Sequence, residues 1–175
     1  MDESDPSILE QLDLVQLTCL NEEEEHTLKS IVGSRTKNTG GTYLLSDADE
    51  QLLLNVTFNQ TVRIRSISIQ SSNVAQAPMR IKLFLNHPSL GFDDVEDGEA
   101  AQEFELTEEQ VQQGKRIPLR YVRFQSVNTL HIFVESNQGG EDQTRIDAID
   151  FYGFPVVNNI VELISFAAAP GTSVD

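Results

Sequence analysis

The chain has 175 residues, 39% of them hydrophobic, and a formal net charge of −16 from 28 acids against 12 bases. This is the size and balance of one globular domain rather than a disordered or collagen-like chain, and its acidity excludes nucleic-acid backbones and anionic membranes as partners. No apolar run reaches the ~18–20 residues that cross a bilayer, and the start, MDESDPSILEQ, lacks the basic region and apolar stretch of a secretory signal. In chain order, Ile8, Leu9, Leu12 and Val15 come first, with a weak helix-like spacing that suits a short docking segment. Cys19 follows as the single cysteine, which leaves no disulfide framework and no CxxC centre and fits a reducing compartment. Placed between Leu17 and Leu20, it is expected to be a buried structural thiol. Asn21 with Glu24 predicts an N-cap, which puts Glu22 to Glu25 in a first turn where the helix dipole favours acids. Leu28, Ile31 and Val32 share one face of that helix, and Gly33 stops it.

From residue 51 the period becomes two. Residues 51–58 read as a strand, and the run Leu52-Leu53-Leu54 predicts cover on both of its faces. Asn59-Gln60 is expected to turn the chain into a second strand over 62–70, whose phase slips at Arg65-Ser66, the mark of a β-bulge. The sequons at Asn55 and Asn59 therefore read as strand and turn residues, not glycan sites. Ile81, Leu83 and Leu85 alternate, as do Ile117, Leu119 and Tyr121, the latter slipping phase into Val122 and Phe124. Leu130, Ile132 and Val134 give a further strand, and Ile149 and Phe151 a last one before Gly153. Thr107 with Gln110 caps a helical turn that Gly114 stops. Strands without crossover helices predict a mainly β, antiparallel sandwich or barrel with one or two short helices.

The acidity is segregated. Residues 1–25 and 93–109 hold nine acids each and no base, so the remaining ten acids nearly balance all twelve bases. Such acidic segments either steer a basic partner or merely solvate the surface. The catalytic inventory is poor. His26, His87 and His131 do not share metal-ligand spacing, and no GxGxxG, Walker lysine loop or GxSxG is present. Asp93 onward fails the EF-hand pattern because Val95 stands where a ligand is needed, which leaves an irregular, weak cation site there; Asp47, Asp49 and Glu50 are a second cation candidate, or else form a turn and cap before the 51–58 strand. His131 is expected to face outward or be hydrogen-bonded, and Gly139-Gly140 to form a turn.

Five stretches taken in order carry a family resemblance: CLNE at 19–22, SDADEQLLLNVTFNQTVRIRSISI at 46–69, APMRIKLFLNHPSLGFDDVEDGEA at 77–100, ELTEEQ at 105–110, and IPLRYVRFQSVNTLHIFVESNQGGEDQTRIDAIDFYG at 117–153. Together they closely resemble the PITH domain, the proteasome-interacting module at the C-terminus of a thioredoxin-like protein. The resemblance implies a domain over about 12–155, with an acidic lead before it and a tail at 156–175. It implies a β-sandwich of jelly-roll topology, association with the regulatory particle of the 26S proteasome, no catalysis, no cofactor, and a cytoplasmic and nuclear location. The CGPC site of the thioredoxin-like relatives is absent from this sequence, so the chain reads as a stand-alone or excised domain without redox activity.

Two functional classes follow: a monomeric protein-interaction module, and a small-ligand domain holding sugar or calcium in loops at one end. The absence of tryptophan, with Tyr43 and Phe92 among few loop aromatics, favours the first. The candidate docking segment is the long connection from Leu90 to Glu103. Asp93, Asp94, Glu96, Asp97 and Glu99 would steer the partner there, and Phe92 would anchor it. The competing reading makes Leu90 and Phe92 pins that hold this loop on the core.

Overall fold

The computed structural model describes residues 4–156. Nine strands lie in chain order: β1 (Thr18–Leu20), β2 (Leu44–Leu45), β3 (Leu52–Gln70), β4 (Arg80–Leu85), β5 (Gln102–Glu105), β6 (Ile117–Pro118), β7 (Val127–Val134), β8 (Arg145–Ile146) and β9 (Ala148–Pro155). The helices are α1 (Leu28–Val32), α2 (Phe92–Glu96) and α3 (Glu108–Gln113), one more than the one or two expected. All strand pairs are antiparallel.

β3 organises the fold. Its first part, Leu52–Thr57, pairs with β1 on one side and β7 on the other, in a layer ordered β1-β3-β7-β4-β5. Its second part, Val62–Gln70, pairs instead with β9, while Ser66 and Ile67 pair with β6. The turn expected at Asn59-Gln60 does not form. The strand runs through these two exposed residues, and the register against β7 shifts between Thr57 and Val62 as one partner is exchanged for another. Ladder bonds on both sides of the exchange outweigh the local turn preference. The bulge read from the phase slip is present: the register against β9 shifts between Ile64 and Ser66, which lets Val62, Ile64, Ile67 and Ile69 all be buried.

The helix before residue 33 starts later than expected. Asn21 has φ 70°, and Glu22 and Glu23 form bridges to Ser46 and His26, so residues 22–26 are not helical. The cap is Thr27, whose hydroxyl accepts from Ser30 N at 3.2 Å. Glu22 still serves the helix, its Oε1 accepting from Leu28 N at 2.8 Å. Leu28, Ile31 and Val32 face the core as predicted. α3 also agrees, with reciprocal Thr107–Gln110 capping bonds and Gly114 at φ 65°. By contrast, the strand expected through 117–124 ends at Pro118, which has no N–H with which to extend a ladder. A 3₁₀ turn, Tyr121–Arg123, follows it, leaving Tyr121 and Val122 exposed and Phe124 buried. Ile8, Leu9 and Leu12 are buried as a docking segment should be, built on a 3₁₀ turn at Leu9–Gln11, whereas Val15 is 93% exposed.

The main core lies on one side of the β1-β3-β7-β4-β5 layer, where Leu52, Leu54 and Val56 meet Leu130, Ile132, Val134, Ile81 and Leu83. Their strand neighbours necessarily point the other way. Leu53 is among them and is also buried, in a second apolar cluster with Phe84, Phe133 and Val95. The two-sided cover read from Leu52-Leu53-Leu54 is therefore real, and α2 supplies the outer half.

Candidate functional site

Register fixes what the outer face presents. One row runs Leu20, Leu53, Phe133, Lys82 across β1, β3, β7 and β4; the next runs Thr18, Asn55, His131, Phe84; and beyond it Thr57 lies opposite Thr129. The apolar part of this face is covered by α2. Val95 is fully buried against Leu53, Phe84 and Phe133, and half-buried Leu90, Phe92 and Ala100 pack around them. The Phe92 ring meets Phe133 edge to face, with centroids 6.1 Å apart. Phe92 thus pins the segment to the sheet, and its remaining exposed edge is modest.

Of the acids, Asp93, Asp94 and Glu96 lie on α2, and Asp97 and Glu99 follow it. Asp93, Asp94, Glu96, Asp97 and Glu99 are all exposed. Asp93 and Asp94 fall in the first turn, where the helix dipole suits them, and Asp94 Oδ2 accepts from Gly91 N at 2.8 Å. At the other end Lys82 Nζ donates to the Glu96 carbonyl at 2.9 Å. Neighbouring Glu103 and Glu105 are matched by Arg80, at 2.7 and 3.5 Å, and Glu135 lies 3.5 Å from the same guanidinium. Among the described residues the five acids of 93–99 have no such ion-pair partner. They form an uncompensated negative surface on a segment held rigidly by its apolar side.

The polar part of the outer face is open. His131, 3% exposed, accepts from His87 N at Nε2, 3.1 Å away, so the proton sits on Nδ1, which donates to Asn55 Oδ1 at 2.7 Å. Asn55 Nδ2 in turn donates to Thr18 Oγ1 at 3.2 Å. Burial, and secondarily the neighbouring His87, lowers the His131 pKa to about 4, so the ring is neutral near pH 7. Asn86, at φ 55°, ties the loop after β4 to β7: its Oδ1 accepts from Asn128 N and Thr129 N, and its Nδ2 donates to the Ser126 carbonyl. Sequence reasoning missed this cluster. The outward phase of β3 and β7 was visible, but only the register could place Thr18, Asn55 and His131 in one row.

The remaining sequence candidates are structural. His26 stacks on Tyr43 at 4.1 Å, and Asp49 Oδ1 accepts from Asn21 Nδ2 and Gln51 N in the turn before β3. Gly140 takes φ 66° in the turn expected at 139–140. Cys19 is half-buried rather than fully buried, packed on the core. Burial, and then the Glu22 carboxylate, push its thiol well above the ordinary range, which disfavours the reactive thiolate. No group of three His, Cys, Asp or Glu side chains suited to a metal occurs among the described residues.

The sequence profile of the PITH domain matches residues 1–168. The chain belongs to the PITH family. Thioredoxin-like protein 1 of Schizosaccharomyces pombe is 41% identical over 145 residues, covering 81% of this chain and 49% of that protein. The PITH domain-containing protein CG6153 of Drosophila melanogaster is 36% identical over 148 residues, covering 84% and 69%. The human PITH domain-containing protein 1 is 31% identical over 144 residues, covering 82% and 67%. This PITH domain thus spans about half the length of the fission-yeast protein, and its relatives are named for the domain or for a thioredoxin-like whole, not for a reaction of the domain. Among solved structures, the CBM32 pair of Clostridium perfringens ZmpB in complex with GalNAc superposes with TM-score 0.63 at 12% identity, over 84% of this chain and 36% of that one. The family 32 module of NanJ from the same organism, in complex with galactose, gives 0.61 at 13%, over 85% and 98%. These likenesses establish the galactose-binding-like jelly-roll fold of the PITH domain.

Proposed function

We propose that this chain is a non-catalytic docking module that associates, as a monomer in cytoplasm and nucleus, with the regulatory particle of the 26S proteasome. The observation that carries the reading is the 92–99 segment, α2 and the turn after it, whose apolar side is buried and whose five acids are exposed and without an ion-pair partner. Fixed charge on a pinned segment steers a basic partner into register and loses little conformational entropy on binding. Family membership supports the same reading, since the module recurs both within a thioredoxin-like protein and in proteins named for it alone. The buried histidine of the outer face, His131, has both ring nitrogens engaged, which leaves it no free nitrogen to act as a base.

The test is affinity purification with mass spectrometry, using the tagged chain as bait at low and raised salt. Regulatory-particle subunits should be enriched and should fall away as salt rises. A variant with Asp93→Asn, Glu96→Gln, Asp97→Asn and Glu99→Gln should fold normally and lose that enrichment. Asp94 is spared because it caps α2. Enrichment indifferent to these changes would place docking elsewhere; no enrichment at all would overturn the proteasome assignment.

A further inference from the structure

The open polar part of the outer face is a built cavity of about 400 Å³, lined by Gln16, Thr18, Asn55, Thr57, His87, Pro88, Ser89, Leu90, Thr129 and His131. This lies within the ~300–1,000 Å³ range of small-molecule sites. In a chain with 28 acids and 12 bases, none of these ten side chains is an acid, lysine or arginine.

The cavity is prearranged. The buried His131 ring fixes Asn55, and Asn55 occupies an acceptor site of the Thr18 hydroxyl, whose own hydrogen is left to point elsewhere. Three further hydroxyls, Thr57, Thr129 and Ser89, make no hydrogen bond within the described protein, and the first two face each other across β3 and β7. The Gln16 amide spends its nitrogen on Asp13 Oδ2 at 3.0 Å and keeps its oxygen free. The loop over the mouth is held by the Asn86 bonds and by His87 N on His131, so the rim is formed in advance. Its exposed His87 ring lies at 63° to His131, with Pro88 and Leu90 alongside, and supplies the apolar edge.

We propose that this cavity binds a neutral mono- or disaccharide. Each sugar hydroxyl both donates and accepts, as do the free hydroxyls of Thr57, Thr129 and Ser89, while the C–H faces of a sugar ring suit the imidazole and proline rim. The lining itself offers an anionic ligand no lysine or arginine, and a cationic one no carboxylate of its own. An adjoining recess shares His87, Ser89 and Leu90 with this cavity and brings Asp94 and Glu99 to its border, yet the proposal is independent of the proteasome reading.

The experiment is a titration of the ¹⁵N-labelled chain followed by amide and side-chain NMR shifts. The probes are galactose, glucose, N-acetylgalactosamine and lactose, with methyl glycosides to separate a glycan terminus from a free reducing sugar, and glucuronate as the charged control. At least one neutral sugar should give saturable shifts at Asn55, Thr57, Thr129 and His87, with glucuronate inert. The double variant Thr57→Val, Thr129→Val keeps β-branched strand residues and should weaken that binding at least tenfold without lowering the melting temperature. Absence of saturable shifts from every neutral sugar would overturn the proposal. So would shifts that survive the double variant, or that map to the separate cavity around Lys37, Gly40, Ser72 and Asp147.

Discussion

Two halves of one sheet face, built from the same strands two residues apart, have opposite fates. Where Leu53, Phe133 and Phe84 point outward, the chain folds back on them as α2 and buries Val95. Where Thr18, Asn55, Thr57, Thr129 and His131 point outward, no helix lands, and only the rim of the loop after β4 closes over them. The difference shows that side-chain identity at outward register positions decides which part of a sheet is covered, because apolar area repays the ordering of a segment and hydroxyls that water can solvate do not. It also separates two kinds of surface on one module: fixed charge suited to a macromolecule, and a neutral recess suited to a small one.

The comparison can be broken most forcefully from the apolar side. Phe133→Ala removes the ring on which Phe92 and Val95 rest, and should cost about 3–5 kcal/mol in urea denaturation, with faster amide exchange through α2. On the polar side His131→Leu leaves His87 N–H and Asn55 Oδ1 without their partner and should cost less, about 1–3 kcal/mol at pH 7. That variant also isolates a pH dependence. With its pKa lowered from 6.5 to about 4, His131 stays neutral in the fold while the unfolded chain takes up a proton, so the unfolded state is favoured as pH falls between these values. The wild type should lose on the order of 2–3 kcal/mol relative to His131→Leu over that window. Parallel pH profiles for the two proteins would show that the imidazole is not desolvated as described. The smallest effect belongs to Thr57→Val with Thr129→Val, within about 0.5 kcal/mol of wild type, since these hydroxyls make no internal bonds to lose.

Much of this was legible before any coordinates. The bulge at Arg65-Ser66, the α3 caps at Thr107 and Gly114, and the double cover of Leu52-Leu53-Leu54 all follow from local periodicity and capping chemistry. Two of the failures share one cause, a long-range partner overriding a local preference. Asn59-Gln60 has turn composition, but β3 exchanges β7 for β9 there and stays extended. Asn21 has N-cap chemistry, yet its amide is engaged by Asp49 and Gln51, and Thr27 takes the cap. At the candidate site, the acids of 93–99 were evident as charge, and the pinning of Phe92 remained one of two readings until Phe133 was placed opposite it. The Thr18-Asn55-His131 row was invisible, because three residues separated by 37 and 76 positions meet only through strand register.

The central claim, that the acids of 93–99 dock this module on the proteasome, is tested most directly with purified components. Binding of the chain to isolated 26S proteasome would be measured for wild type and for the Asp93→Asn, Glu96→Gln, Asp97→Asn, Glu99→Gln variant across a salt series. The account predicts wild-type binding that weakens with salt, and a variant of unchanged melting temperature whose binding is at least tenfold weaker at low salt and nearly flat with salt. Equal affinities and equal salt slopes for the two proteins would contradict it.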